Sequence, residues 1–357
     1  MNKGEWSEAY VFLHLLGEPF LEPCDENLEK NPWGLRLPVS VIRRGEHVVC
    51  TWLEDSRRWL VEGGGLGDVV VDASEGGKAA EALLCFLLSD RFRLESPCPP
   101  AEEFLKRLGV PVKARSKEKK DITLTLRDIR SGSRRSVTCG FSIKSYLGGP
   151  PTLFNAGGDS TNLLYRVEGL AAADEPPERL NGAGKIGRRI SNIREKGGRL
   201  VFEKMCGEVF EANLKYVDTR MPQILGELLL ISYSMAGGAS VQRAAELLAE
   251  QDPLKLGKGS EVYGYKIRKM LEAVSLGMTP STPWKGTENA NGGFIIVKKD
   301  GEIVSYHLYD RPAFLDYIFH STYFEHPSRE RHRYGSFRRE GETLRVKLAL
   351  QIRFNPL

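Results

Sequence analysis

Hydrophobic and polar positions recur along the chain with two different periods, and each period predicts its own kind of element. In the segment 5–16, apolar side chains recur at helical spacing and predict a helix with one apolar face. Later runs predict three short strands and then two further helices. The predicted strands are 37–42, 47–53 and 69–71, and the predicted helices are about 78–88 and 101–108.

The second half of the chain changes from helical patterning to strand-like patterning. Helical spacing predicts helices over 185–195, 221–233, 241–251, 262–275 and 313–319, and apolar runs predict strands over 294–298, 303–309 and 344–354. The acidic, proline-containing stretch 171–177 predicts a loop. This mixture favours an α/β to α+β fold class. Three segments are expected: a core over 1–168, a mainly helical region over 169–290 and a β-rich region over 291–357.

Composition removes several classes of protein. The chain has 357 residues, of which 41% are hydrophobic and 27% charged, so a disordered chain is excluded. The six cysteines form no CxxC pair, which argues against zinc fingers and disulfide scaffolds. No apolar stretch is long enough to span a membrane, and the N-terminus lacks the apolar run of a signal peptide. A cytoplasmic protein is therefore expected.

Residues 121–145 alternate twice between apolar and polar and predict a β-hairpin around Gly132. If the strands pair tightly about Gly132 and Ser133, Asp121 lies opposite Lys144, and Thr123 lies opposite Ser142. The polar residues then share one face, and the apolar residues face the core. A carboxylate beside an ammonium could hold a divalent cation and stabilise negative charge, as phosphodiester hydrolysis requires. The alternative is a surface ion pair worth ~0–1 kcal/mol.

Several blocks of the chain resemble the HpaII-like family of type II restriction endonucleases. GFSIKSYLGGPPTLFNAGG, residues 140–158, together with Ser160, Thr161 and Asn162, is similar to the core of that family. The opening helix, KGEWSEAYVFL at 3–13, also resembles it, as do residues 25–28, 291–319 and 348–354. These blocks follow the family order over almost the whole chain.

The resemblance implies a PD-(D/E)xK nuclease core, with a mixed sheet flanked by helices. It implies Mg²⁺-dependent hydrolysis of both strands of double-stranded DNA at a short palindrome, most simply CCGG, leaving 5′-phosphates. Carried over by position, Asp121 is the metal-binding aspartate and Lys144 the motif lysine, while Ser142 stands where the motif has an acid. Ser142 would then orient Lys144 or a bound water.

A second carboxylate is needed, because a serine hydroxyl is a poor ligand for a divalent cation. Glu8 on the opening helix is the first candidate for this catalytic and metal-binding position. Glu5 shares its stripe of the helix and is the rival, and a solvated helix face is the alternative for both. Asp128 could serve if the hairpin register shifts.

DNA contacts are expected from two basic clusters and from the loop after Lys144. Arginine suits bidentate contact with guanine or phosphate, and asparagine can contact base edges. Solvated charged surfaces and turn or capping roles remain open alternatives. The predicted contacts are Ser145, Asn155, Asn162, Lys185, Arg188, Arg189, Arg329, Arg331, His332 and Arg333, within clusters that also hold Arg194, Lys196, Arg338 and Arg339.

Two other functions stay open from the sequence: a nuclease of the same fold with a different target or a repair role, and a DNA-binding protein that does not cleave. Ser142 is the feature that favours the second. A palindromic target is compatible with a homodimer or with sequential nicking by a monomer.

Overall fold

The computed structural model describes residues 3–30, 36–45, 47–64, 67–89, 92, 98–112, 120–127, 136–170, 176–182, 184–235, 239–307 and 310–357. Its helices are α1 (Lys3–Gly17), α2 (Ala73–Leu88), α3 (Pro99–Arg107), α4 (Pro177–Gly182), α5 (Ile186–Glu195), α6 (Glu208–Val217), α7 (Met221–Ser234), α8 (Val241–Gln251), α9 (Val262–Leu276), α10 (Arg311–His320) and α11 (Arg329–His332). None of these helices is both long and apolar enough to cross a membrane, as far as the described ranges extend.

The strands in chain order are β1 (Phe20–Leu21), β2 (Leu37–Arg44), β3 (Val48–Leu53), β4 (Arg58–Glu62), β5 (Val69–Asp72), β6 (Ile122–Arg127), β7 (Ser136–Ser145), β8 (Thr152–Phe154), β9 (Asn162–Glu168), β10 (Arg199–Met205), β11 (Gly293–Val297), β12 (Ile303–His307), β13 (Thr322–Phe324), β14 (Phe337–Glu340), β15 (Thr343–Ala349) and β16 (Ile352–Phe354). Short 3₁₀ turns span Glu54–Ser56 and Gly158–Ser160.

The chain divides into two compact units that do not follow the predicted segments. The first unit joins residues 1–151 with 288–314 and 356–357, and the second joins 152–287 with 315–355. The predicted boundaries at 168 and 290 therefore differ from the boundaries of these units. The physical reason is that β11 pairs in parallel with β7, far away in sequence, and hydrophobic periodicity cannot reveal such a pairing.

A mixed sheet forms the framework of the first unit. Its strand order is β12-β11-β7-β6-β2-β3-β4-β5, with β1 added beside β2. The pair β11 and β7 is parallel, and the other pairs along the order are antiparallel. Helices α1 and α2 pack with this sheet around one hydrophobic core. The predicted class, a mixed sheet flanked by helices with additional helical and β-rich regions, is confirmed.

Helix α1 is more deeply buried than a helix with a single apolar face. Val11, Phe12 and Leu15, which lie off the predicted face, are fully buried together with the residues on it. The cause is a neighbour that the sequence did not reveal: α2 approaches so closely that a Cβ on Gly17 would lie 2.6 Å from the Cα of Gly77. One side of α1 therefore faces the sheet and another faces α2.

The hairpin of β6 and β7 forms, but with a register that differs from the predicted one by two residues. Ile122 lies opposite Phe141 and Thr123 opposite Gly140, so Asp121 stands beside Ser142 rather than Lys144. The predicted tight turn at 130–134 lies outside the described residues. A shift of two keeps every side chain on its predicted face, whereas a shift of one would have reversed them all.

The second unit contains two smaller sheets among helices. Their strand orders are β10-β9-β15-β14 and β13-β16-β8. The predicted run 344–354 is thus two strands, because β15 and β16 belong to different sheets. Helix α7 is buried over most of its length and packs with α5, α6 and α8.

Element prediction was most accurate where the helical period is strong. Helices α5, α7, α8 and α9 begin and end within about one residue of the predicted bounds. Helix α2 begins earlier than predicted, because Asp72 and Glu75 form a reciprocal capping box at its start. The sequence reading missed β9, β10 and α6, while the predicted loop at 171–177 lies mostly outside the described residues.

Candidate active site

Asp121 is held in place by the strand beside it. Its backbone N–H donates to the carbonyl oxygen of Phe141 at 2.8 Å. Its carboxylate oxygen Oδ2 accepts from the backbone N–H of Ile143 at 2.7 Å and from the hydroxyl of Ser142 at 3.2 Å. The other oxygen, Oδ1, has no donor among the described residues, so it remains available to an incoming ligand.

Lys144 is connected to Asp121 through Ser142. The Nζ of Lys144 donates to the Ser142 hydroxyl oxygen at 2.9 Å and lies 5.3 Å from the ring centroid of Phe294. Burial lowers the pKa of Lys144, and the negative charges of Asp121 and Glu8 oppose that shift. The arrangement is a hydrogen-bonded line from ammonium to hydroxyl to carboxylate.

Glycines let strand β11 come close to this line. A Cβ on Gly140 would lie 2.1 Å from the carbonyl oxygen of Asn289, and one on Gly292 would lie 2.5 Å from the ring of Phe141. The N–H of Gly140 donates to the side-chain oxygen of Asn291 at 2.9 Å. The segment 289–293, which crosses the predicted boundary between the helical region and the C-terminal region, therefore supports the strand that carries Ser142 and Lys144.

Glu8 is coupled electrostatically to Asp121 and Lys144. Its pKa is raised to about 7, first by burial and then by the negative charge of Asp121. The charges of Arg44 and Lys144 lower it, and Glu5 adds a smaller upward effect. Glu8 on α1 thus supplies a second carboxyl group near Asp121, whereas Asp128 lies outside the described residues.

Arg44 is a charged neighbour of this site that the sequence reading did not single out. It ends β2 with 3% of its surface exposed, and its Nη1 donates to the backbone carbonyl oxygen of Glu8 at 2.8 Å. Burial lowers its pKa to about 10. In the sequence, Arg43-Arg44 resembles an ordinary polar end of a strand, so only the fold identifies the second arginine as buried.

The oxygen donors fit a hard divalent cation with several waters. Within the described ranges, no group of three or more His, Cys, Asp or Glu side chains is arranged to hold a metal ion. The carboxylates of Glu8 and Asp121 are nonetheless the ligand type that Mg²⁺ prefers, and Mg²⁺ commonly keeps water for its other positions. The site suits Mg²⁺ better than zinc, which favours nitrogen and sulfur ligands.

The predicted DNA contact Ser145 is engaged inside the first unit. Its hydroxyl oxygen accepts from the Ser7 hydroxyl at 2.7 Å and from the backbone N–H of Leu147 at 3.3 Å. These bonds tie α1 to the end of β7. Ser145 therefore has a positioning role in this structure, beside whatever contact it makes with DNA.

Most of the predicted basic contacts are exposed in the second unit. Lys185, Arg188, Arg329, Arg331 and Arg333 are exposed, as is Asn155, while His332 is half-buried. A cavity of about 740 Å³ is lined by Arg329, Arg333 and Arg338, among others. A second cavity of about 1020 Å³ is lined by Lys185, Arg188 and Arg329. Arg329 belongs to both.

Two predicted contacts, Arg189 and Asn162, are buried in this structure. Arg189 is 4% exposed and donates to the backbone carbonyl oxygens of Gly184 and Gly335, both at 2.9 Å. Asn162 is fully buried, and its amide donates to the backbone carbonyl oxygen of His332 at 2.9 Å. Both side chains donate to backbone carbonyl oxygens, and Arg189 also lines the cavity that holds Arg329 and Arg333.

The chain is similar to known proteins over nearly its whole length. A family model described as HpaII restriction endonuclease matches residues 2–354. The chain is 33% identical, over 358 residues, to the type II restriction enzyme HpaII of Haemophilus parainfluenzae. That alignment covers 99% of this chain and 98% of the relative. No solved structure gives a significant match.

Proposed function

Since the chain belongs to the HpaII restriction endonuclease family, we propose that it is a Mg²⁺-dependent enzyme that cuts both strands of double-stranded DNA at a short palindrome, CCGG. The observation that carries this proposal is the hydrogen-bonded line from Lys144 through Ser142 to Asp121, with Glu8 near enough for the charge of Asp121 to raise its pKa. The sequence motif lacks one acid, because Ser142 stands in its place. In this proposal Glu8 supplies the second carboxylate.

In this proposal Glu8 and Asp121 hold the cation. When bound, Mg²⁺ supplies Lewis acidity that polarises the scissile phosphate and lowers the pKa of a bound water. Asp121 would offer Oδ1, because Oδ2 is already engaged by Ile143 and Ser142. The fixed carboxylate needs little rearrangement to bind, which favours catalysis.

Lys144 would stabilise the negative charge that develops on the phosphate during attack by water. Its ammonium has three donors, and Ser142 takes one of them among the described residues. Ser142 therefore acts as a positioning residue: its hydroxyl accepts a hydrogen bond from Lys144 and donates one to Asp121. Departure of the 3′ oxygen leaves a 5′-phosphate on the other fragment.

Recognition is assigned to exposed arginines of the second unit. Arg345 and Lys347 line the same cavity as Arg329, Arg333 and Arg338, but they already pair with Glu203 and Asp159. Arg329, Arg333 and Arg338 form no salt bridge within the described ranges, although the charge of Arg333 lowers the pKa of Asp159. Unpaired guanidinium groups suit the two guanines of each CCGG half-site, where arginine reads O6 and N7.

Mapping of fragment ends tests the proposal. A DNA of known sequence is digested with the wild-type protein and MgCl₂, and the ends are sequenced. We expect ends at CCGG alone, with 5′-phosphates, and no cutting with a chelator or with Asp121→Asn. Ends at another sequence would establish a different target, and binding without any cutting would establish the non-cleaving alternative.

The same digestion addresses how both strands are cut. A dimer acting on one palindrome produces linear product directly from supercoiled plasmid, whereas sequential nicking by a monomer accumulates the open-circular form first. We place the reaction in the cytoplasm, where an enzyme acting on cellular or incoming DNA meets its substrate.

A further inference from the structure

Arg44 occupies an unusual position for a buried charge. Its guanidinium donates to two backbone carbonyl oxygens, those of Glu8 and Val112, and its Nε has no hydrogen-bond partner among the described residues. It also lies 5.2 Å from the ring centroid of Phe12. Arg44 forms no ion pair with any described residue, although an unpaired buried charge is strongly destabilising.

A counter-charge lies on the turn of α1 that Arg44 binds, because its Nη1 donates to the backbone carbonyl oxygen of Glu8, whose side chain is a carboxyl group. After burial, the largest effects on the pKa of Arg44 are those of Glu8 and then Asp121, and both favour the charged guanidinium. The effect is mutual, because the charge of Arg44 lowers the pKa of Glu8. Arg44 thus interacts with the carboxylate pair through space while it binds the backbone of α1 directly.

The carboxylate pair has the complementary problem. Glu8 and Asp121 repel each other when both are ionised, and burial adds to the penalty on Glu8. Before a divalent cation arrives, that repulsion would push the two carboxylates apart. Lys144 and Arg44 are the two cations whose charges favour ionised Glu8.

We propose that Arg44 is a positioning residue for the candidate metal site: its guanidinium fixes the turn of α1 that carries Glu8 and supplies the counter-charge that keeps Glu8 and Asp121 together before the cation binds. This inference rests on the proposed function, because it takes Glu8 and Asp121 as the carboxylates of that site. The arginine touches the backbone of Glu8, so it acts through Glu8 and does not contact the reacting atoms.

The role separates into charge and geometry, and three substitutions distinguish them. Arg44→Met removes both, and Arg44→Lys keeps the charge but cannot bond to two carbonyls with a rigid fork. Arg43→Met is the matched control, because Arg43 is the exposed neighbour on the same strand. Each is made in the wild-type and in the Glu8→Gln full-length protein; unfolding is measured without DNA, and cleavage is measured separately with a DNA substrate.

Thermal unfolding is measured in chelator and in MgCl₂. We expect Arg44→Met to lower the melting temperature in chelator by several degrees, and by clearly less in the Glu8→Gln protein, where the repulsion is absent. MgCl₂ should raise the melting temperature of Arg44→Met more than that of wild type, because the cation replaces the lost charge. Arg44→Lys should recover most of the stability but not the wild-type cleavage rate, and Arg43→Met should change neither.

In a wild-type protein that responds to MgCl₂, two differences are required. Arg44→Met must destabilise the wild-type protein more than the Glu8→Gln protein in chelator, and MgCl₂ must stabilise Arg44→Met more than wild type. The absence of either difference overturns the proposal. If Arg44→Met does not fold, its recovery in the Glu8→Gln protein supports the proposal, and failure in both proteins overturns it. A wild-type protein that neither cuts DNA nor gains stability from MgCl₂ contradicts the proposed function instead. The comparison in chelator still decides the role of Arg44 in that case.

Discussion

In the first unit Arg44 is buried and Glu8 and Lys144 are half-buried, and the negative charge of Glu8 favours the charged form of both cations. In the second unit Arg329, Arg333 and Arg338 are exposed. In the proposed function the two sets have different tasks. Bond cleavage benefits from fixed charges in a dry site, where electrostatic effects are large. Recognition benefits from solvated arginines that can pair with DNA without first leaving a protein partner.

This contrast also separates residues that sequence alone ranks as equal. Arg188 and Arg189 are neighbours in one basic cluster, yet the first is exposed and the second supports two backbone carbonyls. The predictions below therefore set a residue of one kind against a residue of the other.

The largest effect is expected in the first unit. Asp121→Asn and Lys144→Met should each reduce cleavage by at least ~10³-fold, because each removes a charge that the transition state needs. Affinity for a CCGG duplex and the melting temperature should change little, since Asn keeps the shape of Asp. Single-turnover cleavage, binding and thermal unfolding are measured together.

Exposed residues of helix α3 provide matched controls for these two variants. Glu103→Gln and Lys106→Met remove one charge of each sign from exposed positions of the same unit. They should cleave at the wild-type rate. Cleavage by Asp121→Asn at a comparable rate would remove Asp121 from the site.

The next largest effect concerns recognition in the second unit. Arg329→Ala, Arg333→Ala and Arg338→Ala should each weaken specific binding by about 1–3 kcal/mol, which is roughly 5–150-fold. Lys347→Met should have a smaller effect, because Lys347 already pairs with Asp159 at 2.7 Å. Affinities for CCGG and for a scrambled duplex are compared at one salt concentration.

The ratio of those affinities distinguishes two kinds of contact. Loss of a base contact lowers the affinity for CCGG more than that for the scrambled duplex, whereas loss of a phosphate contact lowers both equally. Unchanged binding by all three variants would move recognition away from this cavity.

A smaller effect, but a diagnostic one, depends on pH through Glu8. The folded protein raises the pKa of Glu8 from its ordinary value of 4.5 to about 7, so the neutral form is favoured by folding. The stability contributed by neutral Glu8 is fully present below pH 4.5, the ordinary pKa, and is lost as the pH rises through about 7, the pKa in the folded protein. Metal-free wild type should lose stability relative to Glu8→Gln over that interval, by on the order of 3 kcal/mol.

The same titration should change the requirement for metal. The cation binds the ionised carboxylate, and Glu8 becomes ionised as the pH rises towards 7. The MgCl₂ concentration for half-maximal cleavage should therefore fall by up to about tenfold for each unit that the pH rises, until it reaches about 7. Denaturant unfolding and MgCl₂ titrations across pH measure the two effects. A pH-independent difference between wild type and Glu8→Gln would place Glu8 in an ordinary solvated position.

Local patterns gave the fold class, most helices and the face of each strand in the hairpin. They could not give the hairpin register, because a shift of two residues leaves the alternation unchanged. They also could not reveal that Asn291 supports Gly140, since that contact depends on a parallel pairing between distant strands. Arg44 and Asn162 show the general reason: burial of a polar residue is decided by tertiary packing, and periodicity does not record it.

The smallest effect contrasts two asparagines of the second unit that the sequence ranked alike. Asn162→Ala should lower the free energy of unfolding by about 1–3 kcal/mol, because it leaves the buried carbonyl of His332 without its donor. Asn155 is exposed, so Asn155→Ala should stay within about 0.5 kcal/mol of wild type. Denaturant unfolding measures both, and fragment-end mapping should give the same cleavage sequence for both. If Asn162→Ala instead kept its stability and altered the cleavage sequence, Asn162 would face DNA in the working enzyme, and the buried position would belong to the DNA-free state alone.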